Sequence, residues 1–193
     1  MVERIGVRRP YDRRMASVLA VCVVKSLHPD SGRWGVTAID KGSVDGPVRV
    51  GDYGLYADVQ VDRKHHGGLD KALYAYAQED IDYWESELGR EIPYGWFGEN
   101  LRTVGIDVNA ARVGERWRIG GSVTVEVTSP RIPCQTFARW MGDDSDGWVK
   151  RFAAERRPGP YLRVITRGTI TAGDAITVLS VPEDAPTIAS LAR

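Results

Sequence analysis

The chain has only two cysteines, Cys22 and Cys134, and three histidines among its 193 residues. Two cysteines exclude a disulfide framework, a four-cysteine zinc site and a four-cysteine iron–sulfur cluster. Neither an HExxH motif nor a histidine pair at helical spacing offers a histidine-based metal site, and no GxGxxG fingerprint offers a nicotinamide or flavin site. Charge of one sign is also lacking. The 26 Lys and Arg balance the 26 Asp and Glu, so the basic excess of a nucleic-acid binder is absent. The apolar run at 16–24 is far too short to span a bilayer. Neither a nucleic acid nor a membrane is an expected partner.

Turn residues are plentiful: 21 glycines and 10 prolines lean the chain towards short strands. Its length suits one domain with a sizeable core, and no internal repeat or linker divides it. Residues 1–15 carry Arg4, Arg8, Arg9, Arg13 and Arg14 ahead of the apolar run. That arrangement mimics a signal peptide, and Arg13–Arg14 a twin-arginine signal, but no clean small-x-small cleavage site follows. The run reads better as a buried first strand containing Cys22, preceded by an arginine-rich arm, and the expected location is the cytoplasm.

Short strands are expected at 36–39, 48–50, 72–77, 101–104, 116–119, 122–128, 161–166 and 175–181. The pair Gly120-Gly121 marks a hairpin with a primed turn. A helix is expected over Gln78–Leu88, with Glu79, Asp80 and Asp82 near its start, the stripe Ile81, Trp84 and Leu88, and Gly89 as its stop. A second helical piece spans Asp146–Glu155, and the tail from Pro182 has no strong pattern. Strands outnumber helices and lie too close together for βαβ crossovers. The expectation is a mainly β fold with inserted helices, an antiparallel or mixed barrel.

Three stretches carry candidate chemistry. In TSPRIPCQTFARWMG, Val123, Val125 and Val127 alternate with Thr124, Glu126 and Thr128 until Pro130 and Pro133 end the strand. A helix starting at Pro133 puts Cys134 in its first turn, where free N–H groups favour a thiolate, and Arg131 adds positive charge nearby. Cys134, Phe137, Ala138 and Met141 also fit an apolar helical stripe, and on this segment alone Cys134 reads more readily as a small core residue. In the loop from Asp62 to Lys71, the residues Lys64, His65, His66, Gly67 and Gly68 suit either an anion site or a turn with a glycine at positive φ. At 97–101, Glu99 and Asn100 at a strand entry suit either ligand contact or a polar turn.

His65–Ala72 (HHGGLDKA), Phe97–Leu101 (FGENL), Pro130–Cys134 (PRIPC) and Tyr161–Asp174 (YLRV…GTITAGD) occur in that order. Together they resemble a MOSC domain, the family named for the C-terminal domain of molybdenum cofactor sulfurases, and within it the small bacterial YiiM-like branch. The resemblance covers roughly 16–182, leaving 183–193 as a short tail, and four ordered motifs are more specific than any one alone. It implies a β-barrel holding a molybdenum–molybdopterin cofactor, with Cys134 as the protein ligand to molybdenum. It further implies that Lys64, His65, His66, Gly67, Gly68 and Arg131 hold the cofactor's phosphate or pterin, and that Glu99 and Asn100 lie near metal or substrate. Leu69 stands where proline is commoner in such loops. Members of that branch often carry a C-terminal helical extension, whereas this chain ends soon after its last expected strand.

The function this implies is reduction of N-hydroxylated compounds, such as hydroxylamino-purines, with electrons from a separate flavoprotein or iron–sulfur protein. The alternative is a carrier of sulfur or of the cofactor, with a persulfide on Cys134 that needs no pyridoxal phosphate. A cysteine hydrolase pairing Cys134 with His65 or His66 ranks last, for want of a local signature.

Overall fold

A computed structural model describes residues 15–61, 67–142 and 147–192. In chain order the strands that open the fold are β1 (Ser17–Val24), β2 (His28–Pro29), β3 (Val36–Thr37), β4 (Lys41–Ser43), β5 (Val48–Gly51) and β6 (Gly54–Leu55). After a 3-10 turn at Leu69–Lys71 come β7 (Leu73–Ala77), α1 (Gln78–Leu88), β8 (Leu101–Val104), β9 (Arg116–Ile119) and β10 (Val123–Pro130). The chain continues through α2 (Gln135–Trp140), α3 (Gly147–Ala154), β11 (Pro160–Thr166), β12 (Gly168–Ile170) and β13 (Ile176–Ser180), then a 3-10 turn at Ala189–Leu191.

Side-chain alternation along β7 divides the core in two. All five of its residues are buried, as in a strand covered on both faces. Leu73, Ala75 and Ala77 enter an aliphatic core with Val18, Val21, Leu101, Val123, Val125 and Val127. Tyr74 and Tyr76, one residue out of phase, enter a second core rich in aromatic rings. That second core holds all three phenylalanines of the chain, Phe97, Phe137 and Phe152, together with Trp84, Trp148 and Tyr161. Trp84 and Phe152 stack at 5.5 Å, and Phe137 meets Phe152 edge-on at 5.2 Å, geometries that each add about 0.5–1.5 kcal/mol beyond area burial. The helices α1, α2 and α3 cover this face.

The main sheet has eight strands in the order β13-β9-β10-β11-β7-β8-β1-β4. The 120–121 hairpin forms as expected, with Val123 opposite Ile119, and Val123, Val125 and Val127 point inward. The helix Gln78–Leu88 also forms as expected, its stop made by Gly89 at φ 62°, a left-handed turn that suits glycine.

Two expectations change. First, β7 and β8 are parallel, with Ala75 opposite Leu101, so α1 and the following loop make one βαβ crossover after all. The spacing argument failed because the crossover lies between two strands only four or five residues long, inside an otherwise antiparallel order. Second, among the described residues no ladder closes the eight strands into the expected barrel. β1, next to the β4 end, meets the approach to β13 through the Ser17–Ala175 bridge and neighbouring bonds such as Val18 N–H to Asp174 O (2.9 Å). The residues after Pro182, which carry no strong pattern, also find a place. Ile188 is fully buried in the aliphatic core, and its N–H donates to Ala111 O at 2.9 Å. No helix among the described residues is long and apolar enough to cross a membrane.

Candidate functional site

Cys134 lies where the sheet hands over to α2. β10 runs through Pro130, paired with Pro160, so this proline continues the strand instead of ending it. Arg131 N–H then donates to Gly159 O at 3.0 Å. Gly159 sits at φ 66°, and a Cβ there would come within 2.4 Å of Ala75 O, so only glycine lets the two backbones approach this closely. Cys134 is the N-cap of α2 and has extended dihedrals, one residue before the first helical position and not within the first turn. The missing proline N–H moved the expected boundary, because Pro133 precedes the cap. Phe137 and Ala138 are buried as the apolar stripe requires, while Cys134 and Met141 only edge the aromatic core. Cys134 is half-buried and borders a cavity of ≈ 410 Å³.

Arg131 is the decisive neighbour. It borders the same cavity and is 6% exposed, and its guanidinium carbon lies 3.7 Å from the centre of the Phe137 ring. Its Nη1 has no hydrogen-bond partner, and among the described residues it makes no ion pair. Burial opposes its charge, but the phenols of Tyr74 and Tyr161 and the Cys134 thiol hold its pKa above the ordinary arginine value. Arg131 thus sets a buried positive charge, with Nη1 unpartnered, beside the cavity that Cys134 borders, and such a charge is compensated most strongly by an anion.

Tyr74 and Tyr161 border the cavity too. Burial pushes the Tyr74 hydroxyl well above its usual pKa, and it donates to Pro158 O at 2.8 Å, so it stays a fixed, protonated wall. Lys71 reaches the rim, with its ammonium 5.4 Å from the Tyr161 ring centre. Asp30, Thr136 and Arg139 complete one side of the cavity: the Arg139 fork grips Asp30 with two bonds of 2.8 Å.

Of the residues singled out in the sequence, Cys134, Arg131 and Asn100 border this cavity. Asn100 is nevertheless committed to structure. Its Oδ1 accepts from Tyr74 N–H (3.2 Å), and its amide donates to Asp58 (2.8 Å) and to Cys22 O (3.3 Å). Glu99 lies away from the cavity lining and is wholly buried. Its Oε1 accepts from Gly95 N–H (2.8 Å) and Arg102 Nε (2.8 Å), and Oε2 accepts from Phe97 N–H (3.0 Å). Its carboxylate pins the 95–99 loop to β8. Gly68 takes φ 87° and ψ −175°, a conformation reserved for glycine, and donates its N–H to Gln60 Oε1 at 3.2 Å. Gly67 is buried next to it. Lys64, His65 and His66 lie outside the described residues. Cys22 is fully buried, and desolvation pushes its thiol far above the usual range, so it does not supply a thiolate.

Tyr74, Asp30, Thr136 and Arg139 escaped the sequence reading. Asp30 had a usable signal, since an aspartate two residues before Gly32 marks an Asx turn, but its partner lies 109 residues away.

The model of the family described as "MOSC domain" matches residues 62–177, more than half of the chain. The chain belongs to the MOSC domain family. Among relatives of this MOSC protein, "Protein YiiM" of Escherichia coli (strain K12) is 37% identical over 101 residues, covering 51% of this chain and 45% of that protein. A protein named "Reductase" from Gibberella moniliformis (strain M3125 / FGSC 7600) is 31% identical over 150 residues, 76% of this chain and 26% of the other. The crystal structure of YiiM from Geobacillus stearothermophilus superimposes with a TM-score of 0.72 at 29% identity, covering 91% of this chain and 80% of that one. The chain is thus a YiiM-like MOSC protein, and it spans about half or less of the curated relatives it matches.

Proposed function

We propose that this MOSC protein binds a molybdenum–molybdopterin cofactor through Cys134 and Arg131 and reduces N-hydroxylated compounds such as hydroxylamino-purines. The observation that carries the reading is the unpaired Nη1 of Arg131, buried beside Cys134 on one cavity. The residues present fit the group. Cys134 offers a soft thiolate, Arg131 offers charge and a spare donor to an anion, and Lys71 adds a second cation at the rim. Lys64, His65, His66, Gly67 and Gly68 remain proposed contacts to the phosphate or pterin.

When bound, such a cofactor supplies a two-electron redox centre. Replacing N–OH by N–H consumes two electrons and two protons and releases water. The chain's part is to hold and to exclude. Arg131 stays charged and fixes negative charge near Cys134, the tyrosines keep a dry aromatic wall, and the cavity orients the substrate. Electrons come from a separate flavoprotein or iron–sulfur protein, since the sequence has neither a four-cysteine set nor a GxGxxG fingerprint. The test is turnover of a hydroxylamino-purine by molybdenum-loaded protein with NADPH, with and without a flavin reductase. Turnover only with the reductase is expected. Turnover with NADPH alone refutes the donor requirement, and none with any donor at full loading favours the carrier of sulfur or cofactor.

A further inference from the structure

The hairpin β2–β3 has a form its own sequence does not explain. Its strands are two residues long, too short to hold themselves in water. Its shape is set from outside by one carboxylate. Asp30 accepts from Gly32 N–H (3.0 Å), which makes the turn, and from Arg139 Nε and Nη2 (2.8 Å each) and Thr136 Oγ1 (3.2 Å), which lie on α2. A Cβ on Gly32 would lie 2.6 Å from Asp30 Oδ2 and 2.9 Å from Arg139 Nη2, so the turn is pressed directly against this ion pair. A second tie joins the same elements at the hairpin's base. The His28 ring packs on Trp140 at 5.3 Å, and its Nε2 lies 2.7 Å from Asp40. The hairpin is therefore fastened twice, the first time to the helix that begins beside Cys134.

What this fastening presents is Trp34. The indole borders the Cys134 cavity yet is 51% exposed, and the Arg33 guanidinium lies over it at 5.2 Å. Arg33 takes one face, and the indole is still half exposed beside the cavity. The rest of the cavity wall includes Tyr74, Tyr161 and Phe97, which are already packed into the aromatic core. Trp34 is the aromatic side chain of this cavity that lies outside that core and is more than half exposed.

We propose that Trp34 stacks on the planar ring of the substrate and so selects N-hydroxylated heteroaromatic compounds over small non-aromatic ones, with Asp30 and Arg139 as the positioning pair that holds the indole at the cavity Cys134 borders. The substrate half of this inference rests on the reductase reading, whereas the stacking half concerns the cofactor-free chain as well.

Two measurements test it. In cofactor-free protein, adenine is the flat probe and alkylation of Cys134 by iodoacetamide is the readout, with Cys134→Ala giving the background. Adenine should slow alkylation in the wild type and in Trp34→Phe, and should lose this effect in Trp34→Ala. Asp30→Asn should weaken it, and Asp30→Glu should restore part of it. In loaded protein, Trp34→Ala should lower the ratio of kcat/KM for hydroxylamino-purine over N-hydroxyurea about tenfold or more, mainly through KM, the order expected for stacking of one base on one aromatic ring. Adenine protection and selectivity that are both unchanged in Trp34→Ala overturn the proposal. If adenine protection depends on Trp34 but no hydroxylamino-purine is reduced, the stacking site stands and the reductase reading falls. If turnover occurs with no dependence on Trp34, the reductase reading stands and the stacking site falls.

Discussion

Replacing Arg131 by methionine separates a binding arginine from a structural one. An arginine kept for the fold makes ion pairs; this one leaves Nη1 unbonded at 6% exposure. Holding an unpaired charge out of water costs several kcal/mol after relaxation. The contact over Phe137 at 3.7 Å returns about 2 kcal/mol when desolvated. The backbone bond to Gly159 O does not depend on the side chain, and Tyr74 keeps Pro158 O as its acceptor, so methionine removes only the guanidinium's bond to the Tyr74 phenol oxygen and leaves no charge behind. Arg131→Met should therefore stabilise the cofactor-free protein by about 1–3 kcal/mol. In a domain of this size that is roughly 2–4 °C of Tm for each kcal/mol. Thermal unfolding of cofactor-free wild type and variant measures it. Loading should reverse the order, because a ligand that binds the folded state stabilises it by mass action and the variant loses its anion contact. A cofactor-free Arg131→Met that melts well below the wild type would show that the guanidinium serves the fold, and the reasoning would be refuted.

Two further outcomes follow from the carboxylates. Glu99→Gln leaves Arg102 charged and wholly buried, so stability should drop by about 3–5 kcal/mol, read as a lowered Tm, while cofactor content per folded molecule is retained; lost activity with an unchanged Tm would instead give Glu99 a chemical part. The Arg139 fork holds Asp30 below the usual carboxylate range, so its stabilisation is complete above the unfolded value of about 4 and is lost as pH falls through the lower folded value. The Tm gap between wild type and Asp30→Asn should accordingly be present at neutral pH and close in acid, and a gap that widens in acid would contradict the ion-pair account.

Local signals were legible where periodicity and punctuation agree. The stripe Ile81, Trp84, Leu88 with Gly89 behind it gave α1 to the residue, and the valine alternation gave the inner face of β10. Those patterns record which side of one element is apolar. They do not record which element it meets. Hence the parallel pairing of β7 with β8, the burial of Ile188 in a tail without pattern and the grip of Arg139 on Asp30 were out of reach, each being a contact between distant segments. The site divides in the same way. Cys134 was found because PRIPC is a motif, and its position as a cap corrects only the helix boundary. Glu99 and Asn100 were equally visible in FGENL, but motif membership does not tell Asn100, which borders the cavity, from Glu99, which lies behind it. Their hydrogen bonds show what each holds: Glu99 binds Arg102 and loop N–H groups, and Asn100 binds Tyr74, Asp58 and Cys22.

The most direct test is the molybdenum and pterin content of protein made in a host that synthesises the cofactor, compared across wild type, Cys134→Ala and Cys22→Ala. Cys134 borders the cavity beside Arg131, whereas Cys22 is buried in β1 with its thiol held protonated. Wild type and Cys22→Ala should carry both metal and pterin, and Cys134→Ala should lose the metal. Equal molybdenum in Cys134→Ala and wild type, at equal folded fraction, would contradict the account.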